Sequence, residues 1–375
     1  MVLVSYEVDG ITRNGGIGTA TSALAEALGA AGHDVRLVYS GAEGGDPEAR
    51  GRCARRYAAA GVELEVLADD SALRVAAPHY NARRAWDVYR RLLELNEREP
   101  LDVVHFPECQ GHGYYALLAK HHGVAFGDVT LCVHAHSSTR WSLDAGAQEP
   151  RWVGHLVDDR LERRCIELAD VLVSPTAYLL SWLERNGLEL PERALLAPYL
   201  LPRNVARADP VPRGPVDELV FFGRLEARKG LVHFCDALDQ LAADGGLPVR
   251  QVTFLGRHWR VGTQRSEDFL AERTAAWPWR VRVIDDLQQA EAVAYLTGPG
   301  RLAVMPSLVD NSPNAVIEAI ALGVPFVASR RGGTAELIDP DDRDACTFDP
   351  LEGAAEVDVG DAAGMARAAR SAPLA

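Results

Sequence analysis

The stretch Pro306-Ser307-Leu308-Val309-Asp310-Asn311-Ser312-Pro313-Asn314-Ala315-Val316-Ile317-Glu318-Ala319-Ile320-Ala321-Leu322-Gly323-Val324-Pro325 decides how the rest of the chain is read. The apolar run Arg301-Leu302-Ala303-Val304-Met305 leads into it and predicts a buried strand. Ser312 stands where an N-cap belongs, and Pro313 suits a first helical position because it has no amide proton to satisfy. Ala315 through Leu322 are helix formers, and Gly323 with Pro325 ends the helix. A strand running into such a helix turns the backbone N–H groups of Asn314 and Ala315 toward the strand's C-terminal end, a place for a phosphate or a sugar hydroxyl. Asp310 precedes the helix, and Glu318 lies about a turn and a half into it. One carboxylate then meets a ligand at the helix mouth while the other reaches it from the flank. An ordinary strand–helix junction with a structural cap and a solvated Glu has the same spacing, so the assignment needs the rest of the chain.

The 375 residues suit two domains of typical size, and 47% hydrophobic content with interspersed charge marks a globular chain. No apolar run approaches the roughly 20 residues of a membrane span. Met1-Val2-Leu3-Val4-Ser5-Tyr6 enters a strand-like run without a basic leader, so no signal peptide is expected. Cys53, Cys109, Cys132, Cys165, Cys235 and Cys346 are scattered without a C-x-x-C pair and read as reduced thiols of a cytoplasmic protein. A formal charge of −14 argues against nucleic acid as a partner and confines any anion site to a local pocket.

From the start, strand Val2–Tyr6 leads through Gly15-Gly16-Ile17-Gly18 into a helix. Its core face is expected at Ile17, Leu24, Ala27, Leu28 and Ala31, and strand Val35–Tyr39 follows. Glycines at the first turn of such a βαβ opening let the backbone approach a ligand. The loop lacks a third glycine, and Val38-Tyr39-Ser40 lacks a ribose-binding acid, which argues against a nicotinamide enzyme. Residues 41–56 read as a surface excursion. Tyr80 to Glu99 reads as a long exposed helix, with Trp86, Tyr89, Leu92, Leu93 and Asn96 on one face and Arg83, Arg84, Arg90 and Arg91 solvated.

Asp102–Phe106 and Val129–Val133 predict buried parallel strands ending in the polar groups Pro107-Glu108 and His134-Ala135-His136-Ser137-Ser138. Continuing the second strand is expected to send His134 and His136 to opposite faces, a poor metal pair. Residues 201–216, with four prolines among Leu201–Pro215, read as the interdomain linker. The alternation restarts with strand Leu219–Phe222, then Gly223-Arg224-Leu225-Glu226-Ala227-Arg228-Lys229-Gly230 and a helix on Leu231, Phe234, Leu238 and Leu241. Further strands are expected at Val252–Gly256, Val281–Ile284 and Phe326–Ser329. Trp259, Trp277 and Trp279 read as packing residues.

Asp310 and Glu318, with seven residues between them, resemble the E-x7-E signature of retaining GT-B glycosyltransferases of the family-4-like group. Asp here replaces the first Glu, one methylene shorter. The string F-G-R-L-E-x-x-K-G, the G-G-x-G loop and His136-Ser137 are similar to that family too. The resemblance spans nearly the whole chain and is strongest over 219–336. It implies an α/β, GT-B architecture of two Rossmann-like doubly wound domains facing across a cleft: residues 1–200 on the acceptor side, the linker 201–216, and residues 217–375 on the nucleotide-sugar side.

The resemblance also implies the roles. Glu318 takes the nucleotide ribose, Asp310 the donor sugar, and Arg224 with Lys229 the diphosphate, whose growing charge fixed cations stabilise. Gly16 and Gly18 lie near the donor phosphates and the acceptor, His136 (or His134, two residues earlier) near the transferred sugar, and Asn311, Ser312, Asn314 and Ala315 line the donor pocket. Gly256 and Leu287 fall near the base. No metal and no cofactor are implied, only a nucleotide-diphosphate sugar as donor and an acceptor molecule. The family's tail is longer than Asp339–Ala375, whose Ala362–Ala372 piece predicts one short helix, so a minimal crossover or a partner chain is expected. A phosphorylase or epimerase of the same fold, and a non-enzymatic nucleotide-sugar-binding or regulatory subunit, remain the alternatives.

Overall fold

The computed structural model describes residues 1–11, 15–41, 46–68, 79–200, 215–243 and 248–351. Backbone contacts divide the chain into two units, Met1–Pro202 and Arg203–Ala375. Most of the expected linker, residues 201–214, and the expected helix Ala362–Ala372 lie outside the described residues.

In the first unit the order is β1 (Val2–Ser5), α1 (Gly16–Ala30), β2 (Val35–Tyr39), α2 (Pro47–Ala59), β3 (Val62–Val66), α3 (Tyr80–Arg98), β4 (Val103–Pro107) and α4 (Tyr114–His121). There follow β5 (Thr130–His134), α5 (Thr139–Ala145), α6 (Val153–Glu167), β6 (Val171–Ser174), α7 (Ala177–Arg185) and β7 (Ala194–Leu196). The strands form one parallel sheet in the order β3-β2-β1-β4-β5-β6-β7. All of β1 is buried, as a strand covered by helices on both faces must be. The chain starts mid-sheet, winds outward to β3 and returns beside β1 as β4. That reversal opens a crevice at the C-terminal ends of β1 and β4.

The second unit repeats the plan with β8 (Glu218–Phe222), α8 (Leu231–Ala243), β9 (Gln251–Leu255), the short antiparallel ribbon β10 (Arg260–Val261) and β11 (Gln264–Arg265), α9 (Ser266–Thr274), β12 (Arg280–Ile284) and α10 (Gln289–Leu296). It ends with β13 (Arg301–Met305), α11 (Asn314–Leu322), β14 (Phe326–Ser329), α12 (Arg343–Cys346) and β15 (Thr347–Phe348). The sheet order is β12-β9-β8-β13-β14-β15, again parallel, and the reversal falls between β8 and β13. Leu219, Phe221, Phe234, Phe254 and Trp277 build the core between this sheet and its helices.

Several expectations about surface and core need correction. Residues 46–59 are no excursion: Asp46 accepts from the Ala49 amide at 3.1 Å, Pro47 starts α2, and Cys53 and Tyr57 anchor it in the core. Two buried residues among arginines leave little apolar periodicity to read. The buried side of α1 is Gly18, Thr19, Ala20, Ser22, Ala23 and Ala25, while Ala27 and Ala31 are exposed. Small residues let this helix lie close to the sheet, and the larger Leu24 and Leu28 only flank the core.

Nor is α3 a solvated helix. Arg84 is 0% exposed and donates to the carbonyls of Ser40 (3.0 Å), Ala68 (2.9 Å) and Leu67 (3.1 Å) and to Asp87 (2.9 Å). A buried guanidinium is tolerable only when its donors are met, and here it ties the ends of β2 and β3 to α3. Trp277 and Trp279 pack as expected, but Trp259 is 58% exposed.

The β8 and β13 loops meet at Gly230, whose φ is +79° and where an added Cβ would collide with the Pro306 carbonyl oxygen. Gly230→Ala is therefore expected to lower stability by about 2 kcal/mol or more, through left-handed backbone strain and the lost approach. Urea denaturation of the full chain measures this, and an unchanged midpoint would show that the loops can part freely.

Candidate active site

Strands β8 and β13 are neighbours, so the loops leaving their C-terminal ends lie side by side. The β8 loop turns through Ala227–Lys229 and is pinned to the β13 loop by the Leu308 amide on the Arg228 carbonyl (2.9 Å) and by Arg228 on the Val309 carbonyl (3.4 Å). Lys229 Nζ donates to Asp310 Oδ2, joining residues 81 positions apart. Asp310 also accepts from Ser307 Oγ at 3.3 Å and from the Asn311 amide at 3.1 Å. A third loop supports it from β14: the Gly333 amide donates to the Asp310 carbonyl at 2.9 Å, and a Cβ on Gly332 would strike that same oxygen. Burial alone would raise the Asp310 carboxyl, but the charges of Lys229 and Arg228 outweigh it and hold it below its ordinary value.

Helix α11 begins one step later than the sequence suggests. Pro313, with ψ of 116°, is the cap residue, and its carbonyl accepts from the amides of Val316 (3.0 Å) and Ile317 (3.3 Å). Ser312 is thus not the N-cap. Its Oγ is instead buried without a hydrogen-bond partner beside the buried Asn311 and Asp310. Asn314 and Ala315 are the first helical residues, and Gly323 ends the helix at φ +62°, as expected. Glu318 points inward, 4% exposed, and accepts from Gln289 Nε2 of α10. Its burial pushes the carboxyl up to about 7 against that one hydrogen bond. Arg224 pairs with Glu226 at 3.1 Å, a carboxylate it shares with Arg228, and its guanidinium lies 5.9 Å over the ring of Trp259.

The remaining expected residues belong to the first unit. Gly16 and Gly18 form the first turn of α1, where Glu7 Oε2 accepts from the amides of Gly15 (2.9 Å) and Gly18 (3.2 Å). A carboxylate of the chain itself thus sits on this helix N-terminus. His134 and His136 are not splayed to opposite faces. As positions i and i+2 they share one, and their rings stack at 6.4 Å and 19°. His134 bonds His105 at 2.8 Å, and His136 Nδ1 bonds Tyr199 Oη at 2.7 Å. All four rings line a largely apolar cavity of about 200 Å³ together with Leu3, Phe106 and Leu24. Burial pushes His136 down to about 4, so the ring is neutral near pH 7.

Two acids beside this cluster escaped the sequence reading. Glu108 Oε1 accepts from the Ser137 amide at 2.7 Å, while its Oε2 is buried without a partner. Glu162 of α6 accepts from the amides of Gln110 (2.9 Å) and Thr139 (2.7 Å) and from Thr139 Oγ1 (2.9 Å). Together they set the course of residues 137–139 next to His136. An acid directly after a buried strand was the available signal for Glu108, whereas Glu162 is hidden in a helix of mixed charge. Among the described residues no group of three or more His, Cys, Asp or Glu could hold a metal ion, and no helix is long and apolar enough to cross a membrane.

Residues 15–199 match the glycosyl transferase 4-like domain family, and residues 217–371 match the glycosyl transferases group 1 family. Among solved structures, sucrose-phosphate synthase from Thermosynechococcus elongatus aligns with 100% of this chain and 91% of its own, at 17% identity and a TM-score of 0.72. The catalytic domain of starch synthase IV from Arabidopsis thaliana, bound to ADP and acarbose, aligns over 99% and 92%, at 14% identity and a TM-score of 0.61. These likenesses show the GT-B fold. No curated protein sequence matches the chain significantly.

The buried acids make stability depend on pH. Burial lifts Glu108 to about 7 and Glu162 to about 8 from an ordinary 4.5. Folded protein therefore holds protons that unfolded chain releases, and this contribution, complete below pH 4.5, is lost as pH rises through 7 and 8. The buried histidines, pushed down by burial from 6.5, act oppositely and lose their contribution only on acidification below that value. Between about pH 6.5 and 8.5 the carboxylates dominate, so stability is expected to fall by about 1–2 kcal/mol per acid. Urea titrations across this range check it: Glu162→Gln should flatten the fall, and an equal slope in the variant would refute the assignment.

Proposed function

Because the chain belongs to the group 1 glycosyltransferases, we propose that it transfers a sugar with retention of configuration from a nucleoside-diphosphate sugar to an acceptor hydroxyl. The observation that carries this reading is the Lys229–Asp310 pair, which unites two motifs from distant parts of the sequence at the reversal point of one parallel sheet. The donor lies on the C-terminal unit, with its diphosphate between Arg224, Lys229 and the first turn of α11. Glu318 accepts the ribose hydroxyls. Asp310, fixed as an anion by Lys229, accepts hydroxyls of the donor sugar, and Ser312 Oγ supplies a further polar contact at the helix mouth.

As the bond from the sugar's anomeric carbon to phosphate breaks, negative charge grows on the leaving diphosphate. Prepositioned cations and helix amides stabilise that change without reorganising, so no metal ion is required by this reading. The acceptor lies on the N-terminal unit, where the neutral His136 ring, held by Tyr199, offers a hydrogen-bonding group to a sugar hydroxyl. Gly16 and Gly18, in the first turn of α1, border the acceptor.

Two substitutions test the roles. Lys229→Ala is expected to lower kcat by about 10²-fold, the usual loss for one contact made to developing charge. Glu318→Ala is expected to raise the Kd of a nucleoside diphosphate about tenfold or more, measured by calorimetry with UDP, GDP, ADP and dTDP in parallel. The same panel identifies the base. If both variants transfer sugar at the parent rate, the site is misassigned. An NMR reading of the product's anomeric configuration tests retention separately.

A further inference from the structure

We propose that Gln289 is a positioning residue for nucleotide recognition, holding Glu318 in the orientation and the ionised state that accept the donor's ribose hydroxyls. This rests on the ribose role given to Glu318 above. Gln289 opens α10, whose N-terminus is locked by the reciprocal Gln288 and Glu291 contacts of a capping box. Because α10 follows β12 and α11 follows β13 in the same parallel sheet, both helices start at the sheet's C-terminal end. The Gln289 amide thus reaches the Glu318 carboxylate from a rigid first turn. A carboxylate offers only acceptors, so the contact requires the Gln289 NH2 as donor.

That contact is the sole hydrogen bond to Glu318 among the described residues, and Glu318 makes no ion pair among them. Among the described residues no cation lies close enough to offset the burial of Glu318. Helix α11 carries no other charged side chain, and it packs on β13, β14 and the turn Thr334–Leu337. On β13 the one charge, Arg301, is bound to Glu218 at 2.9 Å; β14 has none; the turn carries only Glu336. On α10 the acid Glu291 accepts from the Gln288 amide at 2.8 Å. A buried acid in this setting drifts toward its neutral form, which would turn one oxygen from an acceptor into a donor. The Gln289 donor opposes that drift and fixes the plane of the carboxylate.

Calorimetry with UDP and ADP, and with their 2′,3′-dideoxy analogues, tests the idea on the full chain across pH 6 to 9. For Gln289→Leu the ratio of variant to parent Kd is expected to be about tenfold near pH 7 for UDP or ADP, whichever the parent binds, and to shrink at high pH to the part owed to orientation alone. Taking the ratio cancels titration of the ligand's own phosphates. The dideoxy analogue should bind parent and variant alike. Gln289→Glu, nearly the same shape but acidic, should widen the ratio further. Equal weakening for normal and dideoxy ligands at every pH would reduce Gln289 to a packing role and overturn the proposal, as would no weakening at all. The ribose reading fails on a different result: Glu318→Ala leaving affinity unchanged in the parent background, with dideoxy ligands binding as well as the natural ones.

Discussion

An ammonium and a carboxylate, both largely withdrawn from water, face each other where β8 and β13 end. Each is costly to bury alone, and breaking such a pair is more damaging than its net contribution suggests. Lys229 and Asp310 therefore hold their two loops to one another, and Gly230 and Gly332 allow the backbones to come close enough. The sheet order makes this possible, because only at the reversal between β8 and β13 are neighbouring strands followed by helices that depart in different directions. The fixed charge of the site follows from the topology of the sheet.

The first unit handles buried charge in another way. Arg84 is neutralised by Asp87 and by carbonyls at two strand ends, and Glu108 and Glu162 are met by backbone amides of the loop after β5. These groups give a loop a defined path without adding a cation to it. His136 sits at the start of that path with its ring tied to Tyr199, so its orientation depends on backbone geometry set several residues away. Buried polar groups met by backbone in this manner stiffen what they touch.

What the sequence disclosed followed from how local each cause was. The strands, the helix at Glu318 and its Gly323 terminus depend on neighbours within a few residues and were readable. The cap was misplaced by one residue because Ser312 and Pro313 both suit a helix start, and only the Pro313 dihedral decides between them. The inner side of α1 was missed since its contacts use alanine, glycine and serine, which carry little hydrophobic signal. The inner face of α3 has no such signal, because Arg84 is buried by carbonyls just past the ends of β2 and β3 that no periodicity reveals. Asp310 and Glu318 were legible by spacing. Gln289, Glu7 and Glu162 were not, since their contacts cross between elements distant in sequence.

The two acids of the organising stretch end in opposite electrostatic situations although eight positions separate them. Cations at Lys229 and Arg228 hold Asp310 below its ordinary value, while Glu318, with a single amide donor, is lifted to about 7 by burial. Carboxylates whose environments diverge this far cannot be interchangeable. Asp310 stays a fixed anion across the neutral range and is unsuited to supplying a proton. Glu318 sits near the point where a proton comes and goes, so its capacity to accept hydrogen bonds depends on what donates to it. The loop after β13 sets one acid against a cation, and the helix that follows buries the other with a single amide donor, so two different polar groups arise from nearly the same chemistry.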